Sequence, residues 1–140
     1  MSLPQAGDEA RGSDILARTV ASVFVALLAS ASVRGEPALE QAKRGAQSYA
    51  KRCGECHGLN LDGGQGPPLA GAHFHQTWQQ KTARNLYSRI LTTMPISDPG
   101  SLPSETVLDI TVYILGENGI SVGTEAMTSP DSLNALRIEH

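Results

Sequence analysis

The chain has 140 residues, with 11 Lys and Arg against 14 Asp and Glu and a net charge of −3. That length suits a single domain, and the acidic balance excludes the basic footprint of a nucleic-acid binder. Hydrophobic residues make up 40% of the chain but aromatics only 4%, so a core built from side chains alone would be thin.

The first segment is a leader. Thr19 to Val33, TVASVFVALLASASV, carries no charge; Arg11 and Arg18 precede it, and Ala29-Ser30-Ala31 gives a small-residue cleavage pattern near its end. That is the grammar of a secretory signal peptide, and the run is short of the roughly 20 apolar residues of a membrane-spanning helix. Asp8, Glu9 and Asp14 dilute its basic start, and Val33-Arg34-Gly35 offers a second cleavage position. Residues 1–35 are therefore expected to be a signal peptide, with an uncleaved anchor as the alternative, and the mature protein to be periplasmic. No other segment has the length and apolarity to span a membrane. The remaining 105 residues, Glu36 to His140, hold 8 Lys and Arg, 11 Asp and Glu, and five aromatics: Tyr49, Phe74, Trp78, Tyr87 and Tyr113.

Ala38 to Cys53, ALEQAKRGAQSYAKRC, is rich in helix formers. Gly45 and Tyr49 are four apart and share one face of that helix. A glycine there admits a second backbone; the alternative is a glycine on a solvated face. Gly58 to Gly71, GLNLDGGQGPPLAG, is an irregular run in which Pro67 and Pro68 forbid helix and central strand. A loop of that length beside a chemical motif points to function. Helical period returns over Thr82 to Thr92, with Leu86, Ile90 and Leu91 on one face and Thr82 as a cap. Met94-Pro95 breaks it, and Pro99-Gly100 is a turn. Ser104 to Glu117 is the clearest helix, expected to be N-capped by Ser104, with Glu105 in its first turn and Gly119 closing it. Its apolar stripe is broad: Val107, Leu108, Thr111, Val112, Ile114 and Leu115. The period fades over 121–140, which is expected to be a loosely ordered tail. With no alternating strand pattern, the fold class is all-α: a small domain over 36–120 with one large loop.

KRCGECHG, residues 51–58, holds both cysteines of the chain, Cys53 and Cys56, with His57 directly after the second. A disulfide across so short a loop stabilises little and usually marks redox chemistry. A thioredoxin-like dithiol needs a βαβ setting that is missing here. A zinc site would have to recruit His73 and His75, and H-x-H is the wrong spacing for the second half of a tetrahedral set. The remaining reading is c-type haem attachment, C-x-x-C-H, in which the two thiols join the haem vinyl groups and the adjacent histidine stands under the iron. A buried macrocycle would also supply the core that the few aromatics do not.

The chain from Ala38 to Gly119 resembles the class I cytochromes c. Gly45, Tyr49, Cys53, Cys56 and His57 are similar to the family's first helix and haem motif. Gly66-Pro67-Pro68-Leu69-Ala70-Gly71 resembles its G-P-x-L-x-G loop, and Thr93-Met94-Pro95 its distal-ligand segment. The resemblance implies one covalent haem c, lined by Pro67 and Leu69. It implies that the Pro67 carbonyl accepts the proton of the second ring nitrogen of His57, which orients the imidazole and raises its basicity. It also implies that Gly45 and Tyr49 pack on Ile110 and Tyr113, where the last helix crosses the first.

For the sixth ligand the candidates are Met94 and Met127. Met94 follows a helix and lies between the haem motif and the last helix, so the chain there crosses the opposite haem face; Met127 sits in the polar tail. His73 and His75 are the bis-histidine alternative, and two loop histidines are more often solvated. Trp78 either donates its indole proton to a haem propionate or simply packs. Lys43, Arg44, Lys51 and Arg52 are either a docking face or a solvated helix surface.

These readings converge on an electron carrier rather than an enzyme: a periplasmic cytochrome with His57 and Met94 as axial iron ligands, exchanging single electrons with redox proteins. The alternatives are a sensor or enzyme in which Met94 leaves the iron, and a fixed subunit of a dehydrogenase complex. The run FHQTWQQKTARNLYSRILTTMPISDPGSLPSE, with DITVYILGENG, resembles cytochrome domains associated with bacterial quinone-dependent alcohol and sugar dehydrogenases. That likeness implies such a dehydrogenase as donor and a terminal oxidase as acceptor.

Overall fold

The computed structural model describes residues 37–139; the leader expected over 1–35 lies outside them. Among the described residues are five α-helices and one 3-10 helix: α1 (Ala38–Arg52), α2 (Gly54–His57), α3 (Gly71–Trp78), α4 (Ala83–Thr93), α5 (Ser104–Glu117) and a 3-10 turn at Pro130–Asn134. They contain no strands, only two isolated bridges, Pro37 with Glu125 and Thr82 with Arg137. The all-α expectation holds.

The α1–α5 crossing is the most extensive contact between helices. Ala38, Gln41, Gly45 and Tyr49 are the buried residues of α1, and their three- and four-residue spacing places them on one face. At Gly45 the two backbones meet. A methyl group there would collide with the Asp109 carbonyl oxygen of α5 and stand 2.8 Å from Tyr113 Cβ. Removing the side chain forgoes roughly 1 kcal/mol of helix propensity, yet a side chain at so close an approach would cost more, about 1–3 kcal/mol in strain. One turn on, the Tyr49 ring lies 5.5 Å from that of Tyr113, tilted by 56°. The Tyr49 hydroxyl donates to the Gly58 carbonyl at 2.8 Å. Arg44 clamps the same crossing with a forked ion pair to Asp109, 2.9 and 3.2 Å.

α5 is buried on nearly every side, from Val107 to Leu115. Its buried hydroxyl, on Thr111, donates to the Val107 carbonyl at 2.7 Å, so no polar group is left unpaired there. Ser104 is not the cap. Pro103 occupies the boundary and Ser104 is already helical, with no side-chain bond to the first turn. Proline has its φ fixed near helical values and no N–H to satisfy, which suits it to a helix start.

α4 starts as expected at Thr82, whose N–H donates to Asn85 Oδ1 at 2.9 Å. α3 was not visible in the residue pattern. It packs through Phe74, which is fully buried, its ring 6.4 Å from that of Trp78 and tilted to it by 34°.

The tail differs from expectation. Leu133 and Ile138 are fully buried. Ala83 N–H donates to Leu136 O at 2.8 Å, Gln80 N–H to Ile138 O at 3.1 Å, and Ile138 N–H to Lys81 O at 2.9 Å. Backbone pairing with the start of α4, together with two apolar anchors each worth about 1.5–3 kcal/mol when buried, holds a segment that has no helical period. The other end of the tail binds α1. The Gln41 side chain donates to Met127 O at 2.8 Å and accepts from Met127 N at 2.7 Å.

Candidate functional site

α1 ends at Cys53, whose N–H still donates to Tyr49 O at 2.8 Å. The chain then makes the single turn of α2, with Cys56 N–H and His57 N–H both donating to Cys53 O, 3.1 and 2.9 Å. This tight turn sets both thiols and the imidazole on the wall of one cavity of about 320 Å³. That size lies within the range of small-molecule and cofactor sites. Both thiols are free and half-buried. Burial, and secondarily Cys56, pushes the Cys53 thiol up to about 11. Burial also raises Tyr49 well above the ordinary tyrosine range, with Cys53, Tyr113 and Asp62 adding to it. Tyr49 thus stays a donor to Gly58. Tyr113 is raised by burial and by Glu117.

The irregular loop closes against this turn. Gly63 N–H donates to His57 O and Gly66 N–H to Cys56 O, both at 2.8 Å. His57 Nδ1 lies 2.8 Å from the Pro67 carbonyl oxygen. A carbonyl only accepts, so Nδ1 carries the proton and donates, which leaves Nε2 with a free lone pair. Gly66 lies over the ring: a methyl group there would stand 2.7 Å from Cε1 and 2.8 Å from Nδ1. Only glycine lets the loop approach this closely.

A second cavity of about 600 Å³ adjoins the first. The two share His57, Pro67, Leu69, Ile90, Met94 and Ile114, so they are lobes of one crevice. Cys53 and Cys56 line the first lobe and Trp78 the second; Met94, at the end of α4, borders both. The apolar walls come from Ile90, Ile110, Ile114 and Leu69.

The other candidates stand elsewhere. Met127 lines a different pocket with Arg44 and Asp109, beyond the crevice. His73 is at the rim of the second lobe, while His75 borders neither lobe and meets Phe74 edge-on at 5.8 Å. Among the described residues no three His, Cys, Asp or Glu side chains gather into a set that could hold a metal ion, and the zinc alternative finds no ligand set among them. Lys43 pairs with Glu40 at 2.7 Å on an exposed face, and Arg44 is committed to Asp109. Of the four cations weighed as a docking face, Arg52 alone borders the crevice.

Asn118 was not singled out as a site residue. Its carboxamide donates to Leu69 O at 2.9 Å and Ile114 O at 2.8 Å, and accepts from Gly71 N–H at 3.0 Å. It thereby ties the loop to the end of α5. Its one sequence signal is its place just after the last helix, before Gly119.

The residues fit a covalently held haem. Two free thiols stand one helical turn apart, an imidazole has its far nitrogen already bonded, a methionine borders the same crevice, and the walls are apolar. Residues 40–114, more than half of the chain, match the family model described as cytochrome c oxidase, cbb3-type, subunit III. The chain belongs to this cytochrome c family. Searches of curated proteins and of solved structures returned no match. The cytochrome is thus a haem-carrying electron-transfer protein of the class I type, with redox proteins as partners and electron carriage rather than catalysis as its role. No helix among its described residues is long and apolar enough to cross a membrane.

Proposed function

We propose that this cytochrome is a periplasmic carrier of single electrons, released from a leader ending near residue 35, with one haem c. Cys53 and Cys56 anchor it through thioethers, and His57 and Met94 are its axial ligands. The observation that carries this reading is the shared wall: His57, with Nδ1 committed to Pro67, and Met94, from a different element, both border both lobes of one apolar crevice.

A haem bound there supplies a one-electron iron couple. The chain's own residues set the conditions for it. Pro67 holds the imidazole in one tautomer and raises its basicity. Ile90, Ile110, Ile114 and Leu69 exclude water. If His57 and Met94 both held the iron, they would keep oxygen and substrate from it. Ile96, 79% exposed at the rim of the first lobe, gives a partner an apolar contact beside Arg52. Electron-transfer encounters are characteristically small and weak, which suits exchange by contact.

The donor we infer is a quinone-dependent dehydrogenase, from the likeness of the Phe74–Gly119 segment, and the acceptor a terminal oxidase. The description of the matched family as an oxidase subunit supports the acceptor side. It also favours a second reading, a fixed subunit of a larger complex, for which co-purification is the test. The experiment for the main reading is an absorption spectrum of the dithionite-reduced periplasmic protein, with a pyridine haemochrome beside it and acid-acetone extraction after it. The haem should stay with the polypeptide. Haem that leaves with the solvent would overturn covalent attachment.

A further inference from the structure

The turn between α3 and α4 forms one side of the second lobe. Thr77, Trp78 and Lys81 line the lobe there. Two contacts tie them together: the Lys81 ammonium donates to Thr77 O at 2.8 Å and lies 4.9 Å over the Trp78 ring. The turn does not hold this shape by itself. Gln80, inside it, has a φ of +66°, and a residue with a side chain is disfavoured in that left-handed region. Nor is the turn packed from within, since Gln79, Gln80 and Lys81 are all exposed.

What holds it is the end of the chain. Gln80 N–H donates to Ile138 O at 3.1 Å, and Gln80 O accepts from the Arg137 guanidinium at 2.9 Å. Lys81 O accepts from Ile138 N–H at 2.9 Å. Ile138 is fully buried, while its neighbours Arg137 and Glu139 are exposed. Burial of this one side chain anchors a short antiparallel pairing, Thr82 with Arg137, of a kind that is marginal in water when left alone. Lys81 is the joint: its backbone is bonded to the tail and its side chain braces the lobe wall.

We propose that Ile138 is a positioning residue for the haem. Through Gln80 and Lys81 it holds Trp78 against the second lobe, keeps water from that side of the haem, and so raises the reduction potential. This rests on the reading of the crevice as the haem site. A site shielded from water disfavours the extra positive charge of oxidised iron, and solvent access is one of the levers by which a protein sets a haem potential.

The test uses the full-length holo-cytochrome. It reads the midpoint potential by spectroelectrochemistry, the fluorescence of Trp78, and haem content by the pyridine haemochrome. Trp78 is the one tryptophan of the chain, so its emission, quenched by haem nearby, reports its distance from the site. Ile138→Ala should keep its haem, because the thioethers hold it. It should brighten Trp78 and shift the equilibrium towards the oxidised form about threefold, or about 28 mV at 59 mV per tenfold for one electron. Ile138→Val should restore most of both signals. Gln41→Leu is the control, since it unfastens the tail from α1 at Met127, away from the crevice. It should lower stability and move neither signal. An unmoved potential or an unmoved emission in haem-replete Ile138→Ala overturns the proposal. A like shift in Gln41→Leu also overturns it, since the potential would then follow overall stability rather than the turn. Wild-type protein without covalent haem fails the attachment reading itself, and the haemochrome reports that separately.

Discussion

Gln41 and Met127 are joined by a reciprocal pair of hydrogen bonds, side-chain amide to backbone amide, at 2.8 and 2.7 Å. Gln41 is 2% exposed on the inner face of α1, so it is a buried polar side chain whose two needs are met by one residue 86 positions away.

Replacing Gln41 with leucine should leave the Met127 N–H and carbonyl without partners. The pair is only partly buried, so the loss should lie towards the lower end of the about 1–3 kcal/mol that a buried group left unpaired costs. Urea denaturation of the holo-protein should show that loss, with the reduced absorption spectrum unchanged because the pair lies away from the crevice. Met127→Ala should be milder, since the backbone makes the bonds. Equal stability of Gln41→Leu and wild type would mean that the tail contributes nothing there.

Met94→Ala should remove the weak far-red absorption of sulfur bound to oxidised iron, and the reduced variant should bind carbon monoxide. Met127→Ala should keep the band and exclude the gas. The motive is position: Met94 borders both lobes and Met127 neither. Loss of the band in the Met127 variant would reverse the assignment.

Gly66→Ala should displace the His57 ring. The added methyl would stand within 3 Å of two ring atoms. The loop cannot easily retreat, since Gly66 N–H is bonded to Cys56 O and the next residue holds His57 Nδ1. A destabilisation of about 1–3 kcal/mol is expected from such overpacking. The axial ligand field should weaken, read as an altered Soret band in the oxidised protein. Gly71→Ala is the control. Its added methyl meets open space, although the positive φ of 73° makes it strained, so it should cost stability without moving the Soret band.

The proposed donor can be tested by stopped-flow mixing of oxidised cytochrome with a substrate-reduced, quinone-dependent dehydrogenase from the same organism. If charge steers the encounter, the rate should fall as salt rises, over a screening length of about 10 Å at 0.1 M. Reduction no faster than that of an unrelated cytochrome c of similar potential would leave only the general carrier.

Much of the site is legible in the residues because its parts are local or periodic. Cys53, Cys56 and His57 are contiguous, and Gly45 and Tyr49 reveal a shared face by spacing alone. The crossing they make with Tyr113 follows from the family likeness. What stays hidden depends on distant backbone. α3 lies between a Gly-Pro loop and polar residues and declares no apolar stripe; its one buried residue is Phe74. Leu133 and Ile138 are five apart and match neither helix nor strand spacing. They are fixed by bonds to the chain around Lys81 and Ala83 that no local pattern announces. The Ser104 cap fails because a proline one residue earlier already sets the helix start.

Asn118 gives the crevice a chronology. Its carboxamide spans Leu69, Gly71 and Ile114, so the loop that carries Pro67 is latched by a residue at the far end of the last helix. In a chain made from its N-terminus, Cys53, Cys56 and His57 exist well before that latch does. The thiols can therefore stay accessible to whatever machinery joins them to haem until α5 docks, and the docking of α5 is the act that shuts the loop behind them.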